Sequence, residues 1–497
     1  KTDIRNKTYT GLMTGSTGGL RRKTAKGIFW SFLDYFGVYL VKFAFTIVIA
    51  RTLSPDDYGL MGMIVIFIAI GQTLMQSGFS MALIQKREYH EADYYTAFWF
   101  NLLIALLVYF ALFAGAGAIA HFFEKPVLVA ITRVAALGII LNSLCSVQVA
   151  ILTRRMDFRK LTWIHLLSAL VSGVTGLILA LKGYEVWALV FQTLSGNVIY
   201  LAGLWLSTGW RPAFMFDFSR FRALFDFGYK VLLQGLTDVI FTKSYYPLIG
   251  KLFPVTQLGF YTNASRFHEI FIRQTSYSAN RVVFPAFAAI QDNRERFNDN
   301  YLKSFNLMLF LMFLGSLVLI ISSRPFISLV LTAKWLPSVP FMQLLFIEGF
   351  FLPLLIFNTN ILYTINKGGV SLKIDIFRKA MILITIFLLF RLGIEALIAG
   401  QVFATTVSMI LSALAVGRIR GIELQSLFMP LFKLILIAGL CFALSYLIEL
   451  VTTGLDWLEL IMKVTIVPAV FTLMAWLAGI NGIRELRAFI REFKPGA

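Results

Sequence analysis

The chain has 497 residues, of which 58% are hydrophobic and only 14% are charged, and its formal net charge is +19. Soluble proteins carry about 25% charged residues, so this composition excludes an ordinary soluble domain and indicates an integral membrane protein. Apolar runs of about 20 residues recur along the whole chain, as expected for transmembrane helices. The alternating pattern of a membrane β-barrel is absent from the sequence.

These runs predict an all-α, polytopic membrane protein with about fourteen transmembrane helices, arranged as two six-helix lobes related by a pseudo-two-fold axis plus two extra helices. In chain order the predicted helices are 27–50, 60–84, 94–119, 127–151, 161–181, 184–206, 224–250, 258–287, 300–322, 338–364, 370–390, 392–416, 428–450 and 457–479.

The basic residues between these helices predict the orientation. Segments on the side of the N-terminus hold 26 lysines and arginines, whereas the loops on the opposite side hold seven. Because cytoplasmic loops are enriched in Lys and Arg, both termini are expected to be cytoplasmic. This topology accounts for the positive charge, so nucleic acid is not an expected partner.

A weak internal repeat supports the two lobes. The segment ARTLSPDDYGL (50–60) corresponds to GKLFPVTQLGF (250–260) after a shift of 200, which aligns Gly59 with Gly259. A period of six helices gives parallel repeats, an arrangement found in transporters that bind substrate between the halves. The predicted organisation is a cytoplasmic tail 1–26, an N-lobe 27–206, a cytoplasmic loop 207–222, a C-lobe 223–416, helices 13 and 14 in 417–479, and a cytoplasmic tail 480–497.

The stretch 259–293 carries three arginines on one predicted helix. At 100° per residue, Arg266 and Arg273 lie roughly 20° apart and Arg281 about 60° from Arg266. Each charge at the bilayer centre costs roughly 2.5–3.5 kcal/mol, so the stripe is expected to face a wet cavity or an anionic partner. The alternative is that Arg266 and Arg281 extend to lipid headgroups near the helix ends.

Other charged residues cluster at the start of each lobe, on predicted helices 1 and 7. A basic cleft predicts substrate binding by Lys42, Lys243, Arg266, Arg273 and Arg281. Asp34 and Asp238 are candidates for coupling to H⁺ or Na⁺, with structural ion pairing as the alternative. Weaker cavity candidates are Arg133 and Glu348.

Several kinds of chemistry are not expected. The sequence has no P-loop, so ATP hydrolysis is not predicted, and its four histidines show no metal-ligand spacing. Cys145 and Cys441 lie in apolar runs and are interpreted as inert packing residues. The pair Asp56–Asp57 resembles the acidic pair of membrane glycosyltransferases, but a helix-connecting turn with solvated carboxylates is the favoured interpretation. No catalytic residue, metal or cofactor is predicted, apart from coupling to H⁺ or Na⁺.

Five segments together resemble one family. VVFPAFAAIQDN (282–293) is similar to a signature of Wzx-type polysaccharide flippases, particularly the colanic acid exporter branch. Supporting matches are ARTLSPDDYGL (50–60), ALIQKREYHEADYYTAFWFN (82–101), ILTRRMDFRKL (151–161) and LTAKWLPSVPFMQLL (331–345). The resemblance spans roughly residues 20–370. It places the chain in the multidrug/oligosaccharidyl-lipid/polysaccharide (MOP) flippase superfamily.

This resemblance implies a transporter, not an enzyme, in the bacterial inner membrane. Its implied cargo is an undecaprenyl-pyrophosphate-linked oligosaccharide, moved from the cytoplasmic to the periplasmic leaflet by alternating access coupled to an ion gradient. The expected partners are the lipid-linked oligosaccharide, membrane lipids, and a polysaccharide polymerase with its export machinery. Two alternatives stay open: a cation-coupled multidrug exporter of the same superfamily, and a membrane glycan polymerase or glycosyltransferase.

Overall fold

A computed structural model describes Trp30, residues 37–76, Phe79, Leu83, residues 90–273 and residues 287–492. Every regular element within these residues is a helix. The α-helices are α1 (37–52), α2 (Pro55–Gln76), α3 (Glu91–Phe123), α4 (Leu128–Ala135), α5 (Leu137–Arg154), α6 (Phe158–Leu181), α7 (Val186–Thr208), α8 (Phe218–Lys243), α9 (Tyr245–Leu252), α10 (Val255–His268), α11 (Arg294–Phe326), α12 (Val339–Glu348), α13 (Leu352–Thr364), α14 (Gly368–Leu389), α15 (Ile394–Arg420), α16 (Leu424–Val451), α17 (Asp456–Leu477) and α18 (Asn481–Glu492).

Four short segments of other helical types interrupt or extend this series. Two are π-helices, Glu269–Arg273 after α10 and Ile327–Leu331 after α11. Two are 3-10 helices, Ala333–Ser338 before α12 and Phe390–Leu392 after α14.

Ten helices of the described part of the chain are long and apolar enough to cross a membrane. The prediction of an all-α, multi-pass membrane protein is therefore confirmed, whereas the count of fourteen spans stays a prediction. Parts of the predicted helices 27–50 and 258–287 fall on residues that the structure does not describe. α8 and α14, which overlap two other predicted spans, carry six and four charged residues respectively.

Local hydrogen bonds determine where several helices begin. At the start of α3 the Asp93 carboxylate accepts the His90 N–H at 2.9 Å. At the start of α8 the Asp217 carboxylate accepts the N–H groups of Ser219 and Arg220 at 2.9 and 3.2 Å. Carboxylates in these positions satisfy N–H groups that have no partner within the helix and complement the helix dipole.

The chain divides into two compact units, Lys1–Gly259 and Phe260–Ala497. α8 and α9 belong to the first unit, and α10 begins in the first unit and ends in the second. The predicted C-lobe starts earlier, at residue 223; its limits and those of the other predicted segments stay a prediction.

In the first unit, α6 and α7 pack closely and are linked by hydrogen bonds. Ser168 donates its hydroxyl to the Gly196 carbonyl at 2.8 Å, and Ser172 donates to the Gln192 carbonyl at 2.7 Å. Small residues let transmembrane helices approach closely, and hydroxyl groups then link their backbones.

A buried polar chain links three helices of the second unit. The Tyr301 hydroxyl on α11 donates to Asn358 Oδ1 on α13 at 2.8 Å, and Asn358 Nδ2 donates to Ser412 Oγ on α15 at 3.1 Å. All three residues are buried. Around them packs an aromatic core that includes Phe297, Phe305 and Phe357.

Candidate functional site

The two copies of the sequence repeat meet within the first unit, where the N-terminal turns of α2 and α10 pack together. The hydroxyl of Thr256 donates to the carboxylate of Asp56, a pair separated by 200 positions. A Cβ added to Gly59 would lie 2.2 Å from the Val255 carbonyl oxygen, and one added to Gly259 would lie 1.8 Å from that of Pro55. The contact is reciprocal, as expected for repeats related by a two-fold axis.

The pair Asp56–Asp57 is part of this seam, and one of its carboxylates is not solvated. Asp57 is buried and accepts the N–H and the hydroxyl of Ser54 at 2.8 and 2.7 Å. The expectation of two solvated carboxylates was therefore wrong for Asp57, because this carboxylate caps α2. Close by in the first unit, Lys251 donates to Glu124 at 2.8 Å, and this bond holds the pKa of the Glu124 carboxyl below its usual range.

Three of the predicted substrate-binding residues have described side chains. Lys42 is exposed on α1, and Lys243 is half-buried at the end of α8, with its ammonium 5.6 Å from the centre of the Tyr246 ring. Both lie in the first unit, whereas Arg266 is half-buried on the part of α10 that lies in the second unit. Their role as a joint substrate site stays a prediction.

Other predicted site residues lie at the limits of the description. Arg273 ends the π-helix Glu269–Arg273, so the count of 100° per residue does not hold between Arg266 and Arg273. Arg281 and Asp34 lie outside the described residues. Asp238 is half-buried on α8, and its role in ion coupling stays a prediction.

A buried acid in the second unit is surrounded by polar side chains from two other segments. Glu348 ends α12, and its side chain is 3% exposed. One carboxylate oxygen accepts the Thr405 hydroxyl at 2.8 Å, and the other accepts Gln401 Nε2 at 3.1 Å. His268 Nε2 lies 3.3 Å from the same carboxylate, and its side chain is 8% exposed. The cluster thus joins the ends of α10 and α12 to the middle of α15.

Interrupted helices create this arrangement. The backbone turns at Gly349–Phe351 between α12 and α13, and α10 changes to a π-helix directly after His268. A Cβ on Gly349 would lie 2.5 Å from Ile272 Cδ1, so glycine allows the π-helix to approach the turn closely. Broken helices and π-segments are common at functional sites of membrane proteins.

Sequence reasoning found one half of this cluster. Glu348 was predicted only as a weaker cavity candidate; an acid within an apolar run is the usual signal of a functional membrane residue. His268 was grouped with the scattered histidines, because its partner lies 80 positions away and no periodicity connects them. Asn263 on α10 was also missed; it is fully buried, and neither side-chain polar atom has a hydrogen-bond partner among the described residues.

The fold is that of MOP-superfamily transporters. A solved structure of the lipid II flippase MurJ in an inward closed conformation matches with a TM-score of 0.72 and 15% identity, covering 90% of this chain and 98% of that one. An inward-facing multidrug resistance MATE family transporter matches with a TM-score of 0.60, covering 78% of this chain and 97% of that one.

Residues 48–340 match the model of the polysaccharide biosynthesis protein family, so the chain belongs to that family. It is 27% identical over 275 residues to the succinoglycan biosynthesis transport protein ExoT of Rhizobium meliloti, covering 55% of this chain and 56% of that protein. It is 24% identical over 339 residues to the lipopolysaccharide biosynthesis protein WzxC of Escherichia coli, covering 66% and 68%. The alignments thus span little more than half to about two thirds of these relatives. The predicted family resemblance is confirmed, and the fold is similar to that of solved transporter structures.

Proposed function

We propose that the protein is a flippase that moves an undecaprenyl-pyrophosphate-linked oligosaccharide from the cytoplasmic to the periplasmic leaflet by alternating access. The observation that carries this proposal is the presence of a polysaccharide biosynthesis family match and a flippase-like fold in the same chain. ExoT and WzxC are named for succinoglycan transport and lipopolysaccharide biosynthesis, which supports a sugar cargo.

The basic residues of the chain fit the chemistry of that cargo. A pyrophosphate carries at least two negative charges, and guanidinium groups bind phosphate oxygens bidentately. Arg266 is half-buried on α10, and Lys243 is half-buried beside the Tyr246 ring. In this proposal they attract the pyrophosphate and glycan, with Lys42, Arg273 and Arg281, while the polyprenyl chain stays in lipid.

The excess of Lys and Arg on one side of the predicted helices supports an inner-membrane protein with both termini in the cytoplasm. In that orientation the pyrophosphate group enters from the side on which lipid-linked sugars are assembled. A polysaccharide polymerase and export machinery would then use the flipped lipid on the other side.

The proposal is tested in cells that lack the native copy of this protein and make the corresponding surface polysaccharide. We expect Arg266→Ala and Arg273→Ala each to lower that polysaccharide roughly tenfold or more, a change of at least about 1.4 kcal/mol in transport. Arg391→Ala is the matched control, because Arg391 is exposed in a short 3-10 turn and should leave export unchanged. Normal polysaccharide from both arginine variants, at normal protein levels, contradicts the proposed site.

A cation-coupled drug exporter is the second candidate, favoured only by the MATE match in fold. Drug exporters for cationic compounds need acidic binding groups, whereas the predicted cleft here is basic. Drug resistance in cells that express the protein, without any change in surface polysaccharide, would support that alternative.

A further inference from the structure

One pair of ionisable side chains in the second unit is nearly inaccessible to water. His268 and Glu348 lie 3.3 Å apart, and their side chains are 8% and 3% exposed. A buried charge is costly in the membrane unless it is paired and hydrogen-bonded.

The carboxylate is held from one side by uncharged donors. Thr405 and Gln401 on α15 donate to its two oxygens at 2.8 and 3.1 Å. His268 is the remaining neighbour, and it is the one side-chain type whose charge ordinarily changes between about pH 5 and pH 8. A change in its charge therefore alters the attraction between α10 and α12 directly.

On α15, which donates to Glu348 through Gln401 and Thr405, the ionisable residues are Glu395 in the first turn and Arg418 and Arg420 in the last turn. α13 contains no titratable acid, lysine, arginine or histidine, and Glu348 is the only such residue of α12. α11 contributes Phe326 against Phe267 and Ser316 near the Gly349 backbone. Of the residues that flank His268, Arg266 on α10 is half-buried, and Glu269 in the following π-helix is exposed.

Unpartnered polar groups on the same helix supply an independent observation. Both side-chain polar atoms of Asn263 and the hydroxyl of Thr262 are buried without a hydrogen-bond partner among the described residues. Buried polar groups are normally satisfied by protein or by ordered water. These groups lie within two turns of His268, where the proposal below requires water, because a proton needs water to reach the imidazole.

We propose that His268 and Glu348 form a proton-binding site that couples proton movement to movement of α10. This inference rests on the proposed transport function and assigns its coupling step to residues other than Asp34 and Asp238. A proton from water binds the neutral imidazole of His268, and the resulting imidazolium attracts the Glu348 carboxylate and holds α10 against α12. Release of that proton to water restores the neutral ring, and α10 is freed to move.

The position of α10 explains why this step matters for the whole protein. α10 starts in the first compact unit and ends in the second. A change in its attachment to α12 therefore acts on the helix that continues from one unit into the other. The break after Glu348 and the π-helix after His268 place the two charges at the ends of helical segments, where small shifts need no bending of a regular helix.

The test follows α10 directly and needs no transported lipid. The full chain, with Cys145 and Cys441 replaced by Ala, carries a fluorinated label on Ser265→Cys and is placed in lipid nanodiscs. We expect two fluorine resonances whose population ratio changes at least tenfold between about pH 5 and pH 8. His268→Asn and Glu348→Gln should each abolish this pH dependence. If His268→Asn fails to fold, Glu348→Gln still tests the proposal, because its amide oxygen can accept the Thr405 hydroxyl as the carboxylate does.

A matched control and three outcomes decide the proposal. His165→Asn should keep the pH response, because His165 stacks on Tyr200 in the first unit. A pH response that survives both His268→Asn and Glu348→Gln overturns the proposal, as does the absence of any response in the parent chain. Populations that follow Na⁺ at fixed pH, and not pH, overturn it in favour of a metal cation. Because polysaccharide export is not measured, failure here is distinguishable from failure of the flippase proposal.

Discussion

Several buried charges of the described helices are paired, and the pairs differ in what they connect. Asp93 is fully buried and lies 3.1 Å from Arg220, which joins the starts of α3 and α8. Lys463 is buried between Glu459 at 2.5 Å and Glu449 at 3.3 Å, which joins α16 and α17. We interpret these pairs as structural links.

The Asp93 link predicts a large loss of stability on truncation. Asp93→Ala leaves Arg220 without its buried partner and the His90 N–H without its cap. Breaking a buried pair costs about 3 kcal/mol or more, so the thermal unfolding temperature in detergent should fall by several degrees. Lys303→Ala is the control, because the Lys303–Asp299 pair is exposed and its loss should leave the unfolding temperature unchanged. An unchanged temperature for Asp93→Ala would show that Arg220 and His90 do not depend on this carboxylate.

Sequence reasoning at this scale identified charged residues but not their partners. Glu348 was a weaker cavity candidate, and the signal for it was an acid in an apolar run, which is rare. The geometry that joins it to His268 depends on where α10 and α12 meet, and hydropathy carries no information on such contacts. Asp57 was assigned to solvent, although Ser54 three residues before it, ahead of an apolar run, was an available signal of a capping box.

At the scale of elements, the seam between α2 and α10 depends on two glycines. The carbonyl oxygens of Val255 and Pro55 occupy the space that side chains at Gly59 and Gly259 would need. Backbone atoms cannot move aside as the end of a flexible side chain can. The aligned glycines of the sequence repeat therefore have a physical reason, which is backbone-to-backbone packing.

We expect Gly259→Ala to disrupt this seam. Its Cβ would lie 1.8 Å from the Pro55 carbonyl oxygen, so α2 and α10 must separate locally, at a cost of about 1–3 kcal/mol for overpacking. Gly115→Ala provides the comparison, because no atom lies within 4 Å of its added Cβ. Replacing glycine by alanine inside a helix stabilises the helix by up to about 1 kcal/mol, so this variant should be at least as stable as the parent chain. The measurement is thermal unfolding of both variants in one detergent. Equal stability of Gly259→Ala and the parent chain would contradict the packing.

Helix positions were largely predictable, and helix interruptions were not. Long apolar runs in the sequence predicted most of the membrane-spanning helices, including a single helix at 338–364. The structure divides that segment at Gly349–Phe351 and changes α10 to a π-helix after His268. Hydropathy measures length and apolarity, and neither reports a change of hydrogen-bond register. Gly349 and Pro353 were available as signals of a break.

At the scale of the whole molecule, the repeat seam offers a way to restrain the transport cycle. Asp56 and Thr256 are hydrogen-bonded through their side chains, so cysteines at both positions should lie close enough to form a disulfide. In a chain with Cys145 and Cys441 replaced, we expect oxidation of Asp56→Cys/Thr256→Cys to stop polysaccharide export and a reductant to restore it. Each single cysteine variant serves as a control. Full export by the oxidised pair would show that this seam stays closed during transport.

Flipping of a lipid-linked sugar by the purified chain is the most direct test of the account. The protein is reconstituted into vesicles that contain a fluorescent undecaprenyl-pyrophosphate-linked oligosaccharide, and a membrane-impermeant quencher reports the outer leaflet. We expect probe from the inner leaflet to reach the quencher much faster with the parent chain than with protein-free vesicles, and Arg266→Ala to approach the protein-free rate. Equal rates for the parent chain and protein-free vesicles, with the protein folded, would contradict the assignment as a flippase.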